Sequence, residues 1–150
     1  MSEREAAGAP GAAREPRGAH RLVNPAGLAP GVGFSHAVLV APGRTVYLGG
    51  QTAQRRDGGI AGATVTEQFD LALANLVTVL RAVGGEPEHL VNLTIYTTEA
   101  AAYRAGLREL GEIYRRHLGR HYPAMAFFEV KGLFDPAAMI ELVGTAVIPD

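Results

Sequence analysis

The chain has no cysteine. Disulfides, thiolate catalysis and Cys-type zinc or iron–sulfur sites are therefore excluded. No apolar run approaches the length of about 18 residues that a membrane helix needs. The N-terminus lacks the apolar core of a signal peptide, so a soluble cytoplasmic protein is the default expectation. Charge of either sign is also scarce in net terms: 15 acidic and 14 basic residues leave a formal charge of −1. That balance gives no electrostatic case for nucleic acid or an anionic membrane as partner. Lys131 is the only lysine, and the bias toward Arg, Ala and Gly fits a GC-rich coding sequence. No P-loop, dinucleotide fingerprint, HExxH or GxSxG is present.

What is present is one domain's worth of chain, 150 residues with a 47% apolar share, enough to bury a core. Residues 1 to about 20 are Ala, Gly, Pro, Arg and Glu without periodicity. They read as a disordered tail ahead of a single domain over 21–150. The stretch from Val23-Asn24-Pro25 to Pro30-Gly31 has turn chemistry and reads as surface coil.

Phe34–Val40 and Thr45–Leu48 read as two strands, with Ala41-Pro42-Gly43-Arg44 as the hairpin loop between them. Gly49-Gly50-Gln51 follows directly. Two glycines after a strand mean either a bulge or a turn closely approached by a ligand. Thr64-Val65-Thr66-Glu67 is a capping box. The helix after it carries Phe69, Ala72, Leu73, Leu76, Leu80 and Val83 at helical spacing, and Gly84-Gly85 ends it. Asn75 within it reads as bonded to nearby backbone. Leu90–Tyr96 reads as a third strand. Thr98 can cap a second helix, with Tyr103, Leu107, Leu110, Tyr114 and Leu118 on one face and Arg104, Arg108 and Glu112 on the solvated side. Gly119 closes it.

Two strand-length apolar runs complete the chain, His121–Val130 and Ala138–Val147, joined by the loop Lys131–Ala137. The order is ββαβαββ, an α+β layer arrangement with a mixed sheet and two helices on one face. Val38, Val40, Val46, Leu48, Val91, Leu93 and Ile95 leave few polar positions for the other face. A partner subunit is its natural cover, so a homo-oligomer is expected.

Each of the last two runs holds one carboxylate. Glu141, between Ile140 and Leu142, is costly to bury without a purpose. Desolvation raises the pKa of a buried carboxyl and makes it usable as an acid or base near neutrality. Glu141 and Glu129 are thus the candidates for chemistry, with an edge or interface salt bridge as the plainer reading of Glu129. The five histidines are scattered. A lone His is more often structural than catalytic, and His36, within a strand beside Phe34 and Ser35, is the best exception.

The elements Gly33-Phe34-Ser35-His36-Ala37-Val38, Gly50-Gln51, Gln68 and Asn75 separated by six residues, Tyr122-Pro123-Ala124, Glu129-Val130 and Ile140-Glu141 are individually weak. In this order, within ββαβαββ, they are specific. From about Asn24 to its C-terminus the sequence resembles the RidA (YjgF) family of reactive-intermediate, or enamine/imine, deaminases. The resemblance implies a chorismate mutase-like fold and a barrel-like homotrimer with clefts between neighbouring subunits. It implies hydrolysis of a small-molecule imine or enamine to ammonia and an oxo product, without metal or organic cofactor. It places the water-holding carboxylate at Glu141, the water-holding carbonyl at Phe127, the site's aromatic at Phe34 and its backbone turn at Gly50, with Gln51 beside it.

The sequence departs from that pattern at three points. Phe127 stands where deaminating members often have Cys, and Phe34 where Tyr is usual. Met125 occupies the position of the carboxylate-binding Arg. Hydrogen bonds to a charged group contribute roughly 1.5–3 kcal/mol, so a site without that Arg should bind a 2-imino acid at least about tenfold worse. Met125 favours apolar contact instead. Arg44 or Arg104 of a neighbouring subunit, or His36, are candidates to replace the clamp. Two functions follow from the resemblance: a hydrolase with Glu141 as base toward water, or a catalytically silent trimer binding a small apolar molecule or a partner. RNA cleavage, attached to some relatives, is disfavoured by the charge balance.

Overall fold

The computed structural model describes residues 19–150. The expected disordered tail, residues 1–20, lies almost wholly outside the described residues. Three α-helices and six strands follow in order: β1 (Arg21–Val23), β2 (Ala37–Leu39), β3 (Gly43–Gln51), α1 (Val65–Ala82), β4 (Leu90–Thr97), α2 (Ala100–Ala105), α3 (Leu107–Leu118), β5 (Ala124–Glu129) and β6 (Ile140–Pro149). A four-stranded sheet has the order β3-β6-β4-β5, with β4 and β5 parallel and the other pairs antiparallel. The fold is α+β with a mixed sheet.

α1 begins as the capping chemistry requires. Thr64 Oγ1 accepts from the Glu67 N–H at 3.2 Å, while Glu67 reaches one residue further back than the cap and accepts from Ala63 N–H at 2.7 Å. Phe69, Ala72, Leu73, Leu76 and Leu80 are all buried against the sheet. At the far end Gly84 takes a positive φ of 84°, and the Gly85 N–H closes onto Leu80 O at 2.9 Å. From the sheet, Leu48, Leu90, Leu93, Ile95, Ile140 and Leu142 point to the same core.

Four local expectations are corrected. The first two strands form no hairpin: β2 pairs with β1, Arg21 opposite Leu39, and β3 pairs with β6. Arg21–Val23, for which no strand was expected, forms β1 ahead of the coil, beside His20, whose Nε2 meets Val147 O at 2.6 Å and whose Nδ1 accepts from Ala41 N–H at 3.0 Å. The second helix is broken at Gly106, which caps α2 and starts α3. Thr98 does not cap it; buried Thr97 accepts from Glu99 N–H at 3.0 Å and donates to Met139 O at 2.8 Å.

The uncovered sheet face also differs in composition. Leu48, Leu93 and Ile95 face the helices. The other face carries Tyr47, Thr145, Val143, Thr94, Tyr96 and Phe128, which adjoin one another in the register. Tyr47 is 83% exposed and Phe128 51%, and Tyr96 stacks on Phe128 at 5.8 Å.

Candidate functional site

Glu141 lies on that uncovered face, opposite Tyr96 of β4. It is half-buried, so the burial that singled it out in the sequence is incomplete within one chain. On its other side runs β3, whose pairing with β6 jumps from Leu48–Gly144 to Gln51–Leu142. The two glycines are therefore a bulge, and the bulge has a purpose. A Cβ built on Gly50 would overlap Glu141 Oε1 and lie 2.9 Å from its carboxyl carbon. The Glu141 carboxyl lies directly on the Gly50 backbone, which only a residue without a side chain permits. Gln51 folds beside it, its amide donating to Gly49 O at 3.3 Å.

Two amide side chains on α1, seven residues apart and so on one face, hold this corner. Gln68 is fully buried. Its Nε2 donates to Gly62 O and Ala137 O at 3.1 and 3.0 Å, and its Oε1 accepts from Met139 N–H at 2.7 Å. It thereby fixes the loop that delivers β6 and Glu141. Asn75 Nδ2 donates to Thr52 O and Gln54 O, both at 2.9 Å, and fixes the chain leaving the Gly50-Gln51 bulge. The partners of Asn75 are distant in sequence, not the nearby backbone expected.

The other candidates gather elsewhere. Phe34, Met125 and Phe127 line a cleft of about 390 Å³ with Tyr103, Arg104 and Leu107. Phe34 is carried there by Ser35, whose N–H donates to Pro123 O at 3.0 Å and whose hydroxyl donates to Tyr122 O at 2.7 Å. His36 is spent on structure: its ring meets Ala29 O at 2.7 Å and packs edge-on against Phe34 at 5.2 Å. Tyr103 packs on Phe127 at 4.7 Å and on Phe69 at 5.9 Å. Burial pushes its hydroxyl up to about 12 from 10.0, so it stays protonated at neutral pH. The Arg104 guanidinium lies over the Phe127 ring, 5.9 Å from its centre. Glu129, by contrast, is exposed at the end of β5.

The Phe127 backbone is on a free edge. β5 ends the sheet, Val130 N–H bonds inward to Thr97 O, and Pro123 O bonds outward to Ser35. Strand alternation then turns the carbonyls of Met125 and Phe127 outward, away from β4.

One chain does not unite the two groups. Phe127 and Met125 pack toward the core on the helix side, while Glu141 is on the opposite face. β4 separates their strands, which puts β5 and β6 about 10 Å apart. Tyr103 lies on the apolar helix face as expected, and Arg104 is exposed as its place on the charged side implied, while both border the cleft. Among the described residues no three of His, Asp and Glu cluster as metal ligands, and no helix is long and apolar enough to cross a membrane.

The fold is shared with a known class of proteins. The crystal structure of YyfB of Yersinia pestis, from the conserved Rid protein family, superposes with a TM-score of 0.77 at 34% identity, over 86% of this chain and 98% of that one. A human protein named 2-iminobutanoate/2-iminopropanoate deaminase is 28% identical over 115 residues, 76% of this chain and 79% of its own. The rat protein of that name is 30% identical over the same shares. Residues 25–148 match the family described as Endoribonuclease L-PSP. The chain belongs to this family, the RidA (YjgF) family.

Proposed function

We propose that the protein is a deaminase-type hydrolase of an imine or enamine, acting in clefts between the subunits of a homotrimer. The observation that carries this reading is the Glu141 carboxyl resting on Gly50, on a sheet face that one chain leaves uncovered. Glu141, Gly50 and Gln51 of one copy would meet the Phe34–Met125–Phe127 cleft of the next. The names of the human and rat relatives support the reaction class.

A water held between the Glu141 carboxylate and the outward Phe127 carbonyl attacks the imine carbon. The C–O bond forms as the C=N π electrons move to nitrogen, and Glu141 takes the water proton. Glu141 returns it to nitrogen to give a carbinolamine, then relays the hydroxyl proton to the amine in the same way, so that the C–N bond breaks and ammonia leaves as the carbonyl forms. The overall change is hydrolysis, with no net oxidation.

A second reading is favoured by Met125 and Phe34, which make the cleft apolar: a catalytically silent trimer that binds a small molecule or a partner. Ammonia release from 2-imino acids, generated in place by an amino-acid oxidase, separates the two. Wild type should release ammonia faster than the uncatalysed background. Glu141→Gln should lose about 10²–10⁴-fold in turnover, the range of a positioned general base, while still binding the oxo-acid product. Met125→Arg, run beside them, tests whether a guanidinium at the strand position raises activity. Silence in both wild type and Met125→Arg would sink the hydrolase reading in favour of the binding one.

A further inference from the structure

We infer that Arg104 is the anion-binding residue of the cleft, and that the substrate is a carboxylate carrying a large apolar or aromatic group. This deepens the hydrolase reading and rests on it. The argument begins with the lining. Phe34, Met125, Phe127, Tyr103 and Leu107 offer apolar surface, and Arg104 is the one charged residue that borders the cleft with them. Arg104 forms no ion pair among the described residues, whereas its neighbour Arg108 pairs with Glu112 on the outer side of α3. Its guanidinium is placed by the Phe127 ring beneath it. At 5.9 Å from the ring the exposed guanidinium keeps N–H groups free, and its N–H edge is what grips a carboxylate through two parallel bonds.

The position also suits the chemistry. Arg104 sits over the side chain of the very residue whose carbonyl is turned out to hold water. A carboxylate on Arg104 would bring the adjoining imine carbon beside Phe127. The rest of the substrate would then lie along Phe34, Met125 and Tyr103. About 390 Å³ is within the range of about 300–1,000 Å³ occupied by sites for drug-sized molecules, more than a three-carbon imino acid fills. The anion-binding arginine has thus changed element, from strand position 125 to helix position 104, and left apolar volume behind it. The class selected is 2-imino acids with aromatic or long aliphatic side chains, with the three-carbon imino acid a poor substrate.

Two measurements test this, one of which does not depend on turnover. In the first, binding of 3-phenyl-2-oxopropanoate, of its methyl ester and of 2-oxopropanoate is followed by calorimetry for wild type, Arg104→Gln, Arg104→Lys and Arg108→Gln. Wild type should prefer the phenyl acid to both other ligands. Arg104→Gln should weaken the phenyl acid about tenfold or more and leave the ester unchanged. Arg104→Lys should fall between, and Arg108→Gln should match wild type. In the second, ammonia release is measured with the imines of phenylalanine and of alanine. Arg104→Gln should raise KM for the former far more than it lowers kcat. Equal binding of acid and ester by wild type, or an unaltered affinity in Arg104→Gln, would overturn the inference even with deamination intact. Arg104-dependent binding with no ammonia release would uphold it and fail the hydrolase reading instead.

Discussion

The carboxyl group of Glu141 occupies the space that a side chain at residue 50 would need. The bulge at Gly49-Gly50 thus has a steric reason that reaches across two strands to the candidate base. Gly50→Ala should force that carboxyl aside. The expected outcome is loss of most deaminase activity, about 10²-fold or more, with a much smaller effect on the urea midpoint. A fully active Gly50→Ala would show that the placement of the carboxyl is not what the reaction uses.

Gln68 holds three backbone groups from its buried place in α1. Gln68→Ala leaves Gly62 O, Ala137 O and Met139 N–H without partners. Unmade bonds of this kind cost about 1–3 kcal/mol each, so the three together should take away about 3 kcal/mol or more in urea unfolding. Activity should fall as well, because the loop entering β6 is no longer fixed. Unfolding that matches wild type would remove this account of the residue.

The uncovered face predicts assembly. Tyr47, Tyr96, Phe128 and Val143 form an apolar surface that isolated sheets seldom present to water. Sedimentation should give a mass three times the 15.8 kDa of the chain. Val143→Asp, in the middle of that face, should lower the mass and abolish activity together if, as proposed, the site draws on two copies. A monomeric wild type, or an active Val143→Asp monomer, would exclude the composite site.

Tyr103 sets an alkaline limit. Its hydroxyl titrates near 12 in the folded chain against 10.0 when unfolded, because burial disfavours the phenolate. Below pH 10 both states hold the proton and nothing is lost. Above it the unfolded chain releases a proton that the folded one retains, so stability falls as pH rises. Burial raises the Tyr114 hydroxyl as well and acts in the same sense. Tyr103→Phe should therefore lose less stability than wild type between pH 9 and 11.5 in urea unfolding. Parallel curves for the two would contradict the burial argument.

Much of this was written in the chain at short range. The capping box at Thr64, the apolar period through Leu80, the two closing glycines and the alternation around Glu141 depend on residues within one or two turns of each other. Backbone geometry alone makes those patterns legible. The family motif added Phe34, Gly50, Met125 and Phe127 without saying how they meet.

Tertiary structure decided the rest, because it turns on which distant segments close on each other. Pairing of β2 with β1 rather than β3 is accompanied by His20 reaching Val147 and Ser35 reaching Pro123, contacts with no signature in local pattern. The packing of α2 over β5 made exposed Arg104 a border of the cleft, which its place on the charged helix face did not state. The sheet order put β4 between Glu141 and Phe127, and the register, with Glu141 opposite Tyr96 and Phe127 opposite Ile95, put them on opposite faces. A run of apolar residues states that a strand is buried, but its neighbours in the sheet determine against what.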